Sequence, residues 1–298
     1  MPHDHSHIPD QTGDRRVALA VAVNIVLTLV QIVAGVVSGS LALVADAVHN
    51  LGDALSLVIA FVARRIGRRP PDAKMTFGYG RAEVVAALIN YTTLIAIAIF
   101  LLAEAVQRAI HPVGIEGWIV VVVAAVALVI DTLTAWLIHG MARDSMNIRA
   151  AFLHNLADAM GSFAVIVAGT LILLYDWRLI DPLVTALIAG YILWHAAKGI
   201  RPAIHVLMLG SPDSPELDEV TNALCGMDGI EGVHSVHLWR IQEHENAFQA
   251  HVVMTPGADA MALRAQIKQK LADHFGIRHA SIEIETASAQ CREPDFIG

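Results

Sequence analysis

The chain has 298 residues, of which 55% are hydrophobic and 16% charged, with a mean hydropathy of +0.56. That is too apolar for an ordinary soluble domain, and two cysteines are too few for a disulfide framework. The net charge of −8 is uneven: residues 1–209 hold fourteen acids and fourteen Lys/Arg, residues 210–298 fourteen acids and six, so a basic patch for nucleic acid is lacking.

The N-terminus, "MPHDHSHIPDQTGDRR", is polar, and the apolar run after it is too long for a signal-peptide core. We therefore expect no cleavable secretory signal. Six spans are predicted, at 17–37, 41–63, 83–107, 117–139, 151–174 and 180–200, each near the ~20 apolar residues that cross a bilayer. Lys and Arg in the short loops set the orientation. Arg15, Arg16, Arg64, Arg65, Arg68, Arg69, Lys74, Arg81, Arg143, Arg149, Lys198 and Arg201 lie on one side, Arg108 and Arg178 on the other. This bias puts both termini in the cytoplasm.

Composition shifts at "GSPDSPE", residues 210–216, where Gly, Pro and Ser mark a boundary. Three parts are expected: a polar tail at 1–16, a six-span domain at 17–209 and a small soluble α+β domain at 210–298. In the last, "SPELDEVTNAL" is predicted to open a helix with Ser214 as its N-cap. "GVHSVHLWRI" and "AFQAHVVM" are predicted strands joined by a polar turn at 243–246. "DAMALRAQIKQKLADHF" is predicted as an amphipathic helix and "ASIEIET" as a final alternating strand. Two helices packed on one face of a compact sheet suit that order. Residues 205–209 read either as a first strand or as the end of span six. Cys225 and Cys291 both fall in this part, and a cytosolic location would keep them reduced.

Two apolar runs carry nearly the same five residues: "HNLGD" at 49–53 and "HNLAD" at 154–158, the His and Asp of one lying 105 residues from those of the other. Positions i and i+4 share a helix face, so His49 and Asp53 point one way, as do His154 and Asp158. An aspartate inside a span costs about 2.5–3.5 kcal/mol on insertion scales, and such residues generally face a cavity on an ion path. Spans two and five run in opposite directions, so two three-span halves are related by inversion, a recurring transporter design. Together the four side chains offer two nitrogens and two carboxylates, a set suited to tetrahedral zinc, and two aspartates neutralise one divalent cation. The competing readings are helix–helix hydrogen bonding and a metal-free proton relay; the matched pair in antiparallel spans favours the metal.

"GSLALVADAVHNLGDALSL", "FGYGRAEVVAALIN", "NIRAAFLHNLADAMGS" and the cytosolic "GVHSVHLWRI" resemble, in sequence and order, the cation diffusion facilitator family of divalent-metal transporters. The resemblance covers nearly the whole chain. It implies a six-span homodimer of the cell inner membrane that exports zinc or a similar ion from the cytosol in exchange for protons. It also implies a ferredoxin-like cytosolic domain that binds metal and dimerises. Carried over, the transport site is His49, Asp53, His154 and Asp158, and the His/Asp pair on both helices resembles the zinc and cadmium branch. Histidine also argues against manganese, which prefers oxygen ligands.

Some departures from the family pattern carry expectations. The loop "RRIGRRPPDAKMTFGYGR" has Asp72 but no histidine, so the second metal site of some relatives is not expected there. The loop after span four is short and holds only His139, at the span's end. His3, His5 and His7 read equally as metal collectors or as a polar tail. Asp131 stands where the family often has asparagine, and is either a proton carrier or a satisfied structural group, the second being favoured. His234, His237, His251, Glu283 and Glu285 match positions near the family's cytosolic metal sites, and Cys291 lies where some relatives carry a metal-binding cysteine. Glu283 and Glu285 share one strand face, and His251 lies on the polar side of its strand. His234 and His237, three apart, would face opposite ways in a regular strand. A metal bound here would be regulatory, favouring one arrangement of two protomers.

The expected activity is Zn²⁺/H⁺ antiport by alternating access, with zinc as both transported and regulatory ion. Ligands must be deprotonated to bind metal, so metal and protons compete, and histidine titrates near neutrality. A broader exporter of Co²⁺, Ni²⁺ or Fe²⁺ and a membrane sensor without transport remain the alternatives. An intramembrane hydrolase would need something like H-E-x-x-H, which the sequence lacks.

Overall fold

The computed structural model describes residues 11–139, 146–242 and 245–289. The element order is α1 (Gln11–Ser38), α2 (Leu41–Gly67), α3 (Arg81–Ile110), α4 (Gly117–His139), α5 (Met146–Tyr175), α6 (Ile180–Leu207), α7 (Leu217–Cys225), β1 (Ile230–Gln242), β2 (Glu245–Met254), α8 (Ala260–Phe275) and β3 (His279–Thr286), followed by a short 3₁₀ turn at Ala287–Ala289. Among the described residues, five helices are long and apolar enough to cross a membrane, within α2 to α6; the described apolar part of α1 is Ile25–Ser38. This is a multi-pass membrane protein with a small α+β domain after its helices. α6 continues to Leu207, so residues 205–207 end a span and do not begin a sheet.

The chain forms two compact units. The first, Met1–Ile59 with Asn90–Lys198, is a helical bundle. Small residues let its helices approach closely: Ala42, Ala124 and Ala168 are fully buried between α2, α4 and α5, and Ala98 and Ala196 between α3 and α6. Without a solvent-driven hydrophobic effect in lipid, such tight packing is what holds helices together. α1 and α2 are joined through Gly39, whose φ of +74° suits glycine, with the Gly114 carbonyl 2.7 Å from where a Cβ would stand. The N-terminus of α2 is capped twice: Ser40 Oγ accepts from Leu43 N at 3.2 Å, and a distant residue adds a second cap. The buried Asp181 of α6 accepts from Ser40 Oγ (2.5 Å), Leu41 N (2.9 Å) and Ala42 N (3.2 Å). A carboxylate at a helix N-terminus satisfies otherwise unpaired N–H groups and suits the positive end of the helix dipole.

The second unit, Ala60–Ile89 with Gly199–Gly298, contains the small α+β domain. Its sheet has the order β1-β2-β3, antiparallel between β1 and β2 and parallel between β2 and β3. Gln242 opposes Glu245, which closes the expected hairpin. α8 is the crossover between the parallel strands. Val220 and Leu224 of α7 and Leu263, Ile267 and Leu271 of α8 pack with Phe248, Ala250 and Val252 of β2, so both helices share one core. Asp259 caps α8 by accepting from Met261 N and Ala262 N. The cap expected for α7 differs: Glu216, not Ser214, is its N-cap residue and makes no side-chain cap bond. Pro215 and Glu216 stand between Ser214 and the first helical residue, which puts the hydroxyl too early in the chain.

Candidate metal centre

α2 brings His49 and Asp53 to one face, with His49 Nε2 3.8 Å from Asp53 Oδ2. α5 supplies Asp158, which is 8% exposed, and its Oδ1 stands 3.5 Å from His49 Nε2. One ligand atom from each of the three lies within 4.8 Å of the others. A nitrogen and two carboxylate oxygens so placed can close around one small cation. His154 sits one turn from Asp158 on α5, and its side chain lies outside the described residues. Gly52 lies within the motif, and a Cβ there would stand 2.7 Å from Leu94 Cδ2, so glycine lets α3 press against α2 beside the ligands.

Several residues around this centre have no counterpart in the repeated motif. Tyr191 of α6 meets the His49 ring edge-on, with centroids 6.0 Å apart and planes at 88°. Asp46, one turn before the ligands on α2, is 2% exposed and accepts from Gln31 Nε2 of α1 at 2.9 Å. Gln31 Oε1 in turn accepts from Asn50 Nδ2 at 3.5 Å. Ser162 Oγ of α5 lies 3.3 Å from Asp46 Oδ2 and 3.4 Å from Asp131 Oδ2 of α4, so its one proton serves the two carboxylates in turn. Asp131 is thus part of a buried hydrogen-bonded group joining four helices. Gln31, Asp46 and Ser162 are isolated polar letters inside apolar runs, a signal that marks them as unusual without saying which neighbour each one faces.

The α+β domain gathers a second set. Glu285 of β3 takes one histidine on each oxygen: His251 Nδ1 at 2.8 Å from Oε1 and His234 Nε2 at 3.1 Å from Oε2. His234 and His251 are register partners across β1 and β2, with ring centroids 5.3 Å apart. Glu283 is 3.6 Å from His251 Nε2, with a side chain 67% exposed, and so stands at the rim. His237 does not join this cluster; it pairs with Gln249, two residues along the sheet. The expectation that His234 and His237 face opposite ways is overturned. β1 shifts register between them and Ser235 has a φ of +48°, so three residues of β1 span two of β2 and both histidines take the same face. Cys291, His3, His5 and His7 lie outside the described residues, as does the side chain of His139. Asp72, in the loop between α2 and α3, accepts from the backbone of Lys74 and Met75 and from the Tyr79 hydroxyl. The Tyr79 bond first, then those N–H groups, hold its carboxyl below the ordinary range. Cys225 is a free, exposed thiol.

Comparison with known proteins fits both halves. Residues 17–208 match the cation efflux transmembrane domain, and residues 212–287 the cytoplasmic domain of cation efflux proteins. The chain belongs to the cation efflux family. The zinc transporter ZitB of Escherichia coli is 35% identical over 99% of this chain and 95% of its own length. The metal cation efflux system protein CzcD of Cupriavidus metallidurans is 32% identical over 99% of this chain and 93% of its own. A cadmium, cobalt and zinc/H(+)-K(+) antiporter of Bacillus velezensis is 30% identical, covering 97% and 93%. All three are named as transporters or efflux proteins and none as an enzyme. Among solved structures, the metal-bound C-terminal domain of the CzcD transporter is 30% identical, covers 24% of this chain and 97% of its own, and has a TM-score of 0.23. As a member of the cation efflux family, the chain moves metal cations across a membrane.

Proposed function

We propose that this protein is a proton-coupled zinc exporter working by alternating access, with His49, Asp53, His154 and Asp158 as the transport site. One observation carries the reading: Asp158 of α5 approaches His49 of α2 within 3.5 Å, and the two belong to repeated motifs on antiparallel spans. Zn²⁺ entering from the cytosol displaces protons from the histidines and takes two nitrogens and two oxygens, and the aspartates cancel its charge. Outward opening then lets protons reload the imidazoles and release the ion.

The names of the relatives support zinc as cargo and proton exchange as the coupling. Cadmium and cobalt in the name of the Bacillus relative favour a second reading, a broader exporter that also carries Cd²⁺ and Co²⁺, with Ni²⁺ and Fe²⁺ admitted by the same ligand chemistry. A sensor would bind without flux. In the soluble domain we assign His234, His251 and Glu285, with Glu283 at the rim, to a regulatory zinc ion; two nitrogens and a buried carboxylate fit that ion. His237 is left out of that set.

The protein is taken as a homodimer of the bacterial inner membrane with both termini cytoplasmic, a tail at 1–16, the membrane domain at 17–209 and the cytosolic domain at 210–298. The test is metal uptake by purified protein in liposomes under an imposed proton gradient, with Zn²⁺, Cd²⁺ and Mn²⁺ in turn. Gradient-driven Zn²⁺ flux that disappears in Asp158→Ala supports the exporter. Zinc binding without flux in the wild type would sink it and leave the sensor.

A further inference from the structure

The loop between α2 and α3 holds one side of a cavity that metal transport does not use. Its volume is about 440 Å³, and residues 74–81 face β1 residues across it. Lys74 and Arg81 bring cations to its wall, while Phe77, Trp239 and Ile241 supply apolar surface. Arg81, the first residue of α3, also donates from Nε to the Ile241 carbonyl at 2.8 Å, which fixes its guanidinium beside the sheet. Phe77 is 63% exposed and meets the His279 ring edge-on, with centroids 6.0 Å apart.

The loop's place in the chain selects the partner. It leaves one span at Gly67 and enters the next at Arg81, so it lies where a membrane meets water. Residues 64–83 carry Arg64, Arg65, Arg68, Arg69, Lys74 and Arg81 against two acids, Asp72 and Glu83. Asp72 is engaged within the loop by Tyr79 and two backbone N–H groups. A basic rim over an aromatic, aliphatic floor at a membrane surface matches an anionic phospholipid: phosphate on the cations, glycerol and upper acyl carbons on the rings. Tryptophan and the snorkelling lysine are both suited to that boundary.

We propose that this cavity binds the headgroup of an anionic phospholipid, with Lys74 and Arg81 holding the phosphate and Phe77 and Trp239 packing against the glycerol and the first acyl carbons. The bound lipid would tie the α2–α3 loop to β1 and so link the membrane surface to the soluble domain. The site is independent of the zinc reading, because none of its residues is a proposed metal ligand.

Native mass spectrometry of the full-length protein in neutral detergent tests this, with phosphatidylglycerol, phosphatidylcholine and inorganic phosphate added separately. The expected result is retained phosphatidylglycerol on the wild type and little phosphatidylcholine. Lys74→Ala should weaken retention about fivefold, the equivalent of about 1 kcal/mol per basic residue at a membrane surface. Phe77→Ala should weaken it too, and Arg178→Ala, a basic residue on a different loop, should not. Lys74 and Phe77 are exposed, so these variants should fold; equal thermal unfolding without lipid checks that they do. Equal retention of both lipids, or unchanged phosphatidylglycerol binding in both Lys74→Ala and Phe77→Ala, would overturn the proposal. So would full displacement of the lipid by inorganic phosphate at equal concentration, which would make the ligand a soluble phosphate.

Discussion

His49 is the residue on which most of the transmembrane centre turns. Its Nε2 faces carboxylates from two helices, and Tyr191 steadies its ring from a third. An edge-on aromatic contact is worth about 0.5–1.5 kcal/mol, so Tyr191→Leu should weaken zinc binding by about two- to tenfold. Tyr191→Phe should bind like the wild type, because the contact uses the ring and not the hydroxyl; a zinc titration with a competing chelator checks both. His49→Asp exchanges nitrogen for oxygen and should raise Mn²⁺ flux relative to Zn²⁺ in the same liposomes. At this scale the candidate ligands stand out in the sequence as a histidine and an aspartate at i, i+4 in an apolar run, and the structure groups His49, Asp53 and Asp158. Tyr191, Gln31 and Ser162 were not legible in the same way, because a single polar or aromatic letter in a span does not say which neighbour it faces. Asp131 now has a partner, Ser162, and through it a link to Asp46.

At the scale of the element, the apolar runs gave six helices near their predicted places, while the helix ends extend past them. α2 runs to Gly67, continuing into the polar boundary, and α6 passes through Pro202 to reach Leu207. Ser40 caps α2 locally, and a second cap comes from Asp181, 140 residues beyond Leu41, to which no local signal points. Asp181→Ala should remove this cap and cost about 0.5–2 kcal/mol of stability, read as a lower unfolding temperature in detergent. Asp181→Asn should recover part of the loss, because an amide oxygen still accepts from the backbone. The β1 bulge left only a faint trace. In "GVHSVHLWRI" the alternation breaks at the consecutive polar residues His234 and Ser235, but only pairing with β2 shows that His234 and His237 share a face.

For the whole molecule, the two candidate centres are built differently. The transmembrane set joins two spans through residues that repeat in the sequence, whereas the set in the α+β domain joins three strands through Glu285. Zinc should therefore be lost from them independently. Full-length His251→Ala should lose the ion of the α+β domain and keep the transmembrane one, Asp158→Ala the reverse, and the double variant should lose both, as counted by metal analysis after desalting. That apolar helices come first and a small α+β part follows was legible in the sequence, through the long apolar runs and the shift to alternating and amphipathic segments after them.

The most direct test of the shared transmembrane centre is zinc K-edge X-ray absorption on full-length protein carrying His251→Ala and Glu285→Gln, so that only the membrane site reports. Two imidazole nitrogens and two carboxylate oxygens at about 2.0–2.2 Å are predicted, and that shell should disappear when Asp158→Ala is added. A six-oxygen shell, a sulfur ligand, or an unchanged spectrum in the Asp158→Ala protein would contradict it.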